Sequence, residues 1–176
     1  MRNQIYSLAL VQSGPLTITA KGPGEPALLR VCNGIRKEAS SVYYTANDFE
    51  LLMDEYNGAA LTPFYGQYRR HEFNRSLEKS ENGNVVMMLR GPPNFKNLVA
   101  WIKDYHLWTN RLAPVLDNPY GASDYIVKAA FDIEKAMIRC TWSEVEKALQ
   151  AMQHAMKGTC SPWGRDEDDE HDDEFH

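Results

Sequence analysis

No stretch of this 176-residue chain runs for about eighteen apolar residues, the length a helix needs to cross a bilayer, so no membrane span is expected. The opening Met1-Arg2-Asn3-Gln4-Ile5-Tyr6 also lacks the long apolar core of a secretion signal. Cysteine is scarce: Cys32, Cys140 and Cys160 are odd in number and widely spaced, which suits a reduced protein better than a disulfide framework. An intracellular protein is therefore expected, cytoplasmic, or nuclear in a eukaryotic host or virus. The phosphate-loop, dinucleotide-loop, nucleophile-elbow and zinc-protease signatures are all missing. Outside the last twelve residues the histidines are His71, His106 and His154, and none stands in a metal-ligand pattern. His71-Glu72 reads as an exposed loop dipeptide. The expectation is a non-enzyme with no metal and no cofactor, although a triad assembled from distant residues would leave no local motif.

What the chain does have is an uneven distribution of charge. Residues 165–176 hold eight carboxylates and one arginine, a charge of −7 with histidine neutral, while the whole chain carries −5. Removing the tail leaves residues 1–164 at +2. A segment of repelling charges with no apolar period cannot bury enough surface to fold, so residues 159–176 are expected to be a flexible, disordered acidic tail. Its apolar handle is Phe175. The remaining 158 residues, with 43% hydrophobic content over the chain, suffice for one domain with its own core.

Along that domain, residues 4–12 and 15–21 flank Ser13-Gly14-Pro15, and Leu16, Ile18 and Ala20 alternate with Thr17, Thr19 and Lys21, as in two strands and a turn. After Gly22-Pro23-Gly24-Glu25-Pro26, residues 27–33 make a third apolar run. Asn33-Gly34 is a hairpin signal, and 35–45, ending Val42-Tyr43-Tyr44, can return as a fourth strand. Phe49, Leu52, Met53 and Tyr56 recur at helical spacing, predicting a short helix over 46–57. Residues 59–84 show no clean period. Val85 to Arg90 reads as a strand buried on both faces or central, and helices are predicted over 95–108, from Ser123 to about 139, and from Thr141 through Lys157. In the last two, Ala129, Ile133, Ala136, Met137 and then Val145, Leu149, Met152, Met156 trace apolar stripes. The fold class expected is α+β: an N-terminal antiparallel β-meander, with helices mainly in the C-terminal half.

The strongest positive signal in the body is the interleaving of aromatics and arginines from Phe64 to Arg75. Bases stack on aromatic faces, and Arg or Lys neutralises phosphates, so Tyr65, Tyr68 and Phe73 are candidate stacking platforms and Arg69, Arg70 and Arg75 candidate backbone clamps. Arg36 and Lys37, beside the aromatic strand end Tyr43-Tyr44, form a secondary cluster. Lys96, Trp101 and Lys103 form another, in which Trp101 is better read as core. The alternative for Phe64 to Arg75 is a loop anchored by Phe64 and Phe73 with solvated arginines.

The tail adds weight to the nucleic-acid reading. Asp166, Glu167, Asp168, Asp169, Glu170, Asp172, Asp173 and Glu174, followed by Phe175, resemble the acidic, aromatic-ended C-terminal tails of bacterial and phage-type single-stranded DNA-binding proteins. Here His176 follows the aromatic, where the family pattern ends on it. The resemblance implies an OB-like fold, and a tail that recruits protein partners and competes with nucleic acid for its groove. The expectation is a single-stranded nucleic-acid-binding protein of the replication or recombination type, with DNA ahead of RNA as ligand. Its alternative is a non-enzymatic interaction or assembly module, viral or phage in character, that forms a homo-oligomer or docks another protein. An enzyme acting on nucleotides ranks third.

Overall fold

A computed structural model describes residues 2–19, 24–72, 85–107, 109, 112–114 and 122–157, with 69–72 described in backbone only. The acidic tail, together with Phe73 and Arg75, lies outside these residues. The elements run α1 (Arg2–Leu10), β1 (Leu16–Ile18), a 3-10 turn (Ala27–Arg30), α2 (Asn33–Ala46), β2 (Phe49–Asp54), a second 3-10 turn (Gly58–Ala60), α3 (Leu61–Glu72), β3 (Val85–Arg90), α4 (Phe95–His106), α5 (Ala122–Ala136) and α6 (Trp142–Lys157). The described strands form one three-stranded sheet in the order β1-β2-β3, parallel at both junctions.

The expected antiparallel meander, and with it an OB-like barrel, is overturned by this topology. Parallel neighbours cannot be joined by a tight turn; they need a crossover, and α2 and α3 supply it. The first predicted strand is α1, the third is a 3-10 turn, and the fourth is α2, whose first turn carries the Asn33-Gly34 pair read as a hairpin tip. In α2 the buried side chains Ala39, Ser40, Tyr43 and Tyr44 recur at steps of three and four, a helical period disguised by strand-favouring Val42-Tyr43-Tyr44. The converse error falls on 46–57. Phe49, Leu51 and Met53 are buried and alternate with less buried Glu50, Leu52 and Asp54, so β2 is a strand, hydrogen-bonded on both edges. The apolar residues of this segment fit both periods, and pairing with β1 and β3 decided between them.

Helices α2 and α3 cover one face of the sheet. There Phe49 lies in a cluster of rings with centroid separations of 5.6 Å to Tyr43, 5.8 Å to Tyr44, 5.2 Å to Phe64 and 6.3 Å to Tyr68. Several of these pairs are edge-on, the arrangement favoured by ring quadrupoles. α1 docks on α2 through Tyr6 and Leu10, and the buried Asn47 side chain ties the two by donating to the Leu10 and Tyr43 carbonyls at 2.9 Å each.

After β2 the chain bends sharply. Glu55 and Tyr56 both occupy the left-handed region, with φ of 51° and 64°, a conformation that costs side-chain-bearing residues energy unless their surroundings hold it. The Glu55 N–H donates to the Arg90 carbonyl at 2.7 Å, and the Asn97 amide donates to the Glu55 carbonyl at 2.9 Å, clamping the bend to β3 and α4. It delivers Gly58 against α4, where an added Cβ would sit 3.1 Å from the Trp101 Cβ; the missing side chain permits that approach.

The three C-terminal helices follow their sequence signals closely. The Asn94 side chain caps α4 by accepting from the Asn97 N–H at 3.1 Å, and Phe95, Leu98, Trp101, Ile102 and Tyr105 form its buried face. For α6, Glu144 accepts from the Thr141 N–H and hydroxyl at 2.8 Å each, the predicted capping box. Those bonds, the backbone one foremost, hold the Glu144 carboxyl below the usual carboxylate range. In α5 the buried residues are Val127, Ala130, Phe131 and Glu134; of the predicted stripe, Ile133 and Met137 pack partly buried against the core, while Ala129 and Ala136 are exposed. Trp101 meets Phe131 edge-on at 4.9 Å and donates its indole N–H to the Leu112 carbonyl at 3.1 Å, joining α4 to α5.

Candidate functional site

The two faces of the sheet differ. Because paired residues in a parallel ladder point to the same side, the registers Thr17↔Glu50↔Val86, Leu52↔Met88 and Asp54↔Arg90 define three rows on the face away from α2 and α3. Val86 is 56% exposed and Met88 38%, Leu52 is half-buried, and Thr17, Asp54 and Arg90 are exposed. Strands of parallel sheets are ordinarily buried on both faces, so this surface departs from the rule. It has an apolar centre of Val86, Leu52 and Met88 bordered by Glu50, Asp54 and Arg90. The strand reading of Val85 to Arg90 holds, but β3 is an edge strand covered on one face only.

On the opposite side, α2, α3 and the segment after β1 enclose an open cleft of about 460 Å³, lined by Glu25, Asn33, Arg36, Lys37, Ser40, Tyr44 and Gln67. Five of these, Asn33, Arg36, Lys37, Ser40 and Tyr44, lie on α2 at the i, i+3, i+4, i+7 and i+11 positions of one continuous stripe of the helix. The Tyr44 hydroxyl hydrogen-bonds to Gln67 Oε1 and lies 3.5 Å from Glu25 Oε1. Burial above all, then the charge of Glu25, pushes the Tyr44 phenol far above its usual range, so it stays protonated and a donor. Arg36 donates Nε–H to the Leu29 carbonyl at 2.6 Å, which orients its guanidinium and leaves the two terminal nitrogens without a hydrogen bond among the described residues.

A third cluster joins the C-terminal helices. Buried His106 of α4 lies with Nδ1 3.2 Å from Glu134 Oε1 of α5 and Nε2 3.2 Å from the Cys140 carbonyl. A carbonyl only accepts, so Nε2 is the ring nitrogen that donates to Cys140. Glu134 Oε2 and Trp142 Nε1 are buried without a hydrogen-bond partner among the described residues. This is a structural junction between α4, α5 and the turn before α6. Among the described residues no three His, Cys, Asp or Glu side chains converge to hold a metal.

Of the residues singled out from sequence, those the structure describes are not gathered into one groove. Tyr43 is 2% exposed and Tyr68 4%, so both rings belong to the core cluster and present no face for stacking. Tyr65 is half-buried and packs against the core. The side chains of Arg69 and Arg70, like Phe73, Arg75 and the tail residues Asp166 to Phe175, lie outside the described residues. Arg36 and Lys37 are exposed and meet in the cleft. Glu25, Asn33, Ser40 and Gln67 were missed; for Asn33 and Ser40 the signal was the polar stripe 33-36-37-40-44, visible only once the segment is taken as a helix. No helix among the described residues is long and apolar enough to cross a membrane. The chain matches no protein-family model, no curated protein and no solved structure.

Proposed function

We infer that the chain is a non-enzymatic interaction module that docks a protein partner on the open face of its sheet. The observation that carries this reading is the uncovered parallel sheet, with Val86, Leu52 and Met88 at the centre of a charged border. An apolar centre within a polar rim is the anatomy of a protein interface. The border carries two acids, Glu50 and Asp54, against one base, Arg90, so a basic-rimmed partner complements it better than a second copy does. The fitting partner presents an apolar surface flanked by Lys or Arg. Exposed, free Cys32 agrees with a reducing, intracellular setting.

The test places a photo-crosslinking amino acid at Val86, with a control at exposed Lys128, in cells that produce the protein. A discrete adduct is expected from position 86 alone, and it is expected to disappear in Met88→Asp while the melting temperature stays within a few degrees, since Met88 is partly exposed. Identical adducts from both positions, or none from 86, would refute the assignment.

A second reading is single-stranded nucleic-acid binding of the replication or recombination type, with the tail as competitor. It is favoured by the +2 body and by exposed Arg36 and Lys37. Fluorescence titration with a labelled oligonucleotide checks it: salt-sensitive binding that tightens when residues 165–176 are removed is the expected result, and no binding by either form sinks it.

A further inference from the structure

We propose that the cleft between α2 and α3 binds a small phosphorylated polyol of the ribose-phosphate type, the unit shared by sugar phosphates and mononucleotides. At about 460 Å³ the cleft has the size of a small-molecule site. It lies on the helical side of the sheet, away from the open face, and is independent of the docking role.

Ser40 is the observation that marks the cleft as more than a surface groove. Serine and threonine within a helix commonly turn their hydroxyl back onto the carbonyl four residues earlier, and Ser7 does so to Asn3 at 2.9 Å, as does Thr45 to Ser41 at 2.7 Å. Ser40 does not. It is only 5% exposed, lines the cleft, and its hydroxyl has no hydrogen-bond partner among the described residues. Its oxygen is not sealed in the core but opens onto the cleft, where an entering group can hydrogen-bond to it.

One end of the cleft is cationic. Arg36 and Lys37 have no ion-pair partner among the described residues, and the guanidinium is already aimed by its bond to the Leu29 carbonyl. They stand in the first turns of a fourteen-residue helix whose N-cap, Cys32, makes no side-chain capping bond. A dianionic phosphate matches two cations beside an uncapped helix start better than a carboxylate does. The other end is made of acceptors and amides: Glu25, Gln67 and the Tyr44 hydroxyl that links them. A carboxylate there accepts from neighbouring hydroxyls of a sugar and repels a second anion, so the site takes one phosphate with a hydroxylated body attached. Ser40 stands between the two ends, one helical turn beyond Arg36 and Lys37 and one before Tyr44.

Calorimetric titration of the full chain with ribose 5-phosphate, inorganic phosphate and ribose, each alone, tests this. Ribose 5-phosphate is expected to bind about tenfold or more tightly than either fragment, because charge-assisted and neutral hydrogen bonds are then made together. Lys37→Glu is expected to weaken it about tenfold or more, and Ser40→Ala by a smaller factor, with the unliganded melting temperature of each nearly unchanged. Lys37 is exposed and Ser40→Ala removes one buried oxygen, so neither substitution threatens folding. Equal binding of inorganic phosphate and ribose 5-phosphate overturns the polyol assignment. No heat from any probe at millimolar concentration, or affinity unchanged in both variants, overturns the site.

Discussion

Phe49→Ala is expected to cost about 3–5 kcal/mol, a large share of the ~5–15 kcal/mol that holds a domain of this size together. Phe49 is fully buried on the central strand, and it is the residue through which α2 and α3 grip the sheet: rings from Tyr43 and Tyr44 on one helix and Phe64 and Tyr68 on the other pack around it. An alanine leaves a cavity that three elements line and none can fill alone. The loss combines the transfer of the ring with the cost of that void. Phe49→Leu keeps most of the volume and is expected to cost less than about half as much. Urea denaturation followed by circular dichroism reads both values. A Phe49→Ala variant within 1 kcal/mol of the parent, a margin set by typical surface substitutions of roughly ±0.5 kcal/mol, would mean the cluster is not the centre of the core.

The second large effect belongs to the His106–Glu134 pair. His106→Ala leaves the Glu134 carboxyl, fully buried, with no hydrogen bond on either oxygen, and the cost expected is about 3–5 kcal/mol. Glu134→Ala strands the imidazole between a void and the Cys140 carbonyl, with a cost of the same order. Replacing both together with leucine restores an apolar junction, and the double variant is expected to lie well above either single one in stability, because the penalty of each single change is an unpaired buried polar group. Chemical denaturation of His106→Leu, Glu134→Leu and the double leucine variant closes the double-mutant cycle that measures this. Strictly additive losses would show that the two residues do not act as a pair.

How much of this was legible in the sequence varies along the chain for physical reasons. The second half was readable because its signals are local. An asparagine cap at Asn94, a capping box at Thr141 and Glu144, and an apolar residue every three or four positions each favour a helix before any tertiary contact forms. The first half was not. Segment 35–45 carries β-branched and aromatic residues at helical spacing, while 49–56 satisfies the helical and the strand period at once. Propensity differences of ~1 kcal/mol or less per residue are smaller than the burial of a single ring, so the assembly chose. The cleft inherited that ambiguity. Arg36 and Lys37 were visible as a basic pair, but Asn33, Ser40 and Tyr44 join them only along one side of a helix, and Glu25 and Gln67 arrive from other segments.

By itself, then, the sequence determined the charge split between body and tail, the lack of an apolar run of about eighteen residues and the three C-terminal helices. All of these are properties of composition or of short-range periodicity. Only the tertiary structure decided that β1, β2 and β3 run parallel, that Tyr43 and Tyr68 turn into the core, and that one face of the sheet stays open while a polar cleft forms on the other side. Parallel pairing joins residues more than thirty positions apart, as in Leu16↔Phe49 and Phe49↔Val85, and no local pattern encodes which distant strand a segment will meet.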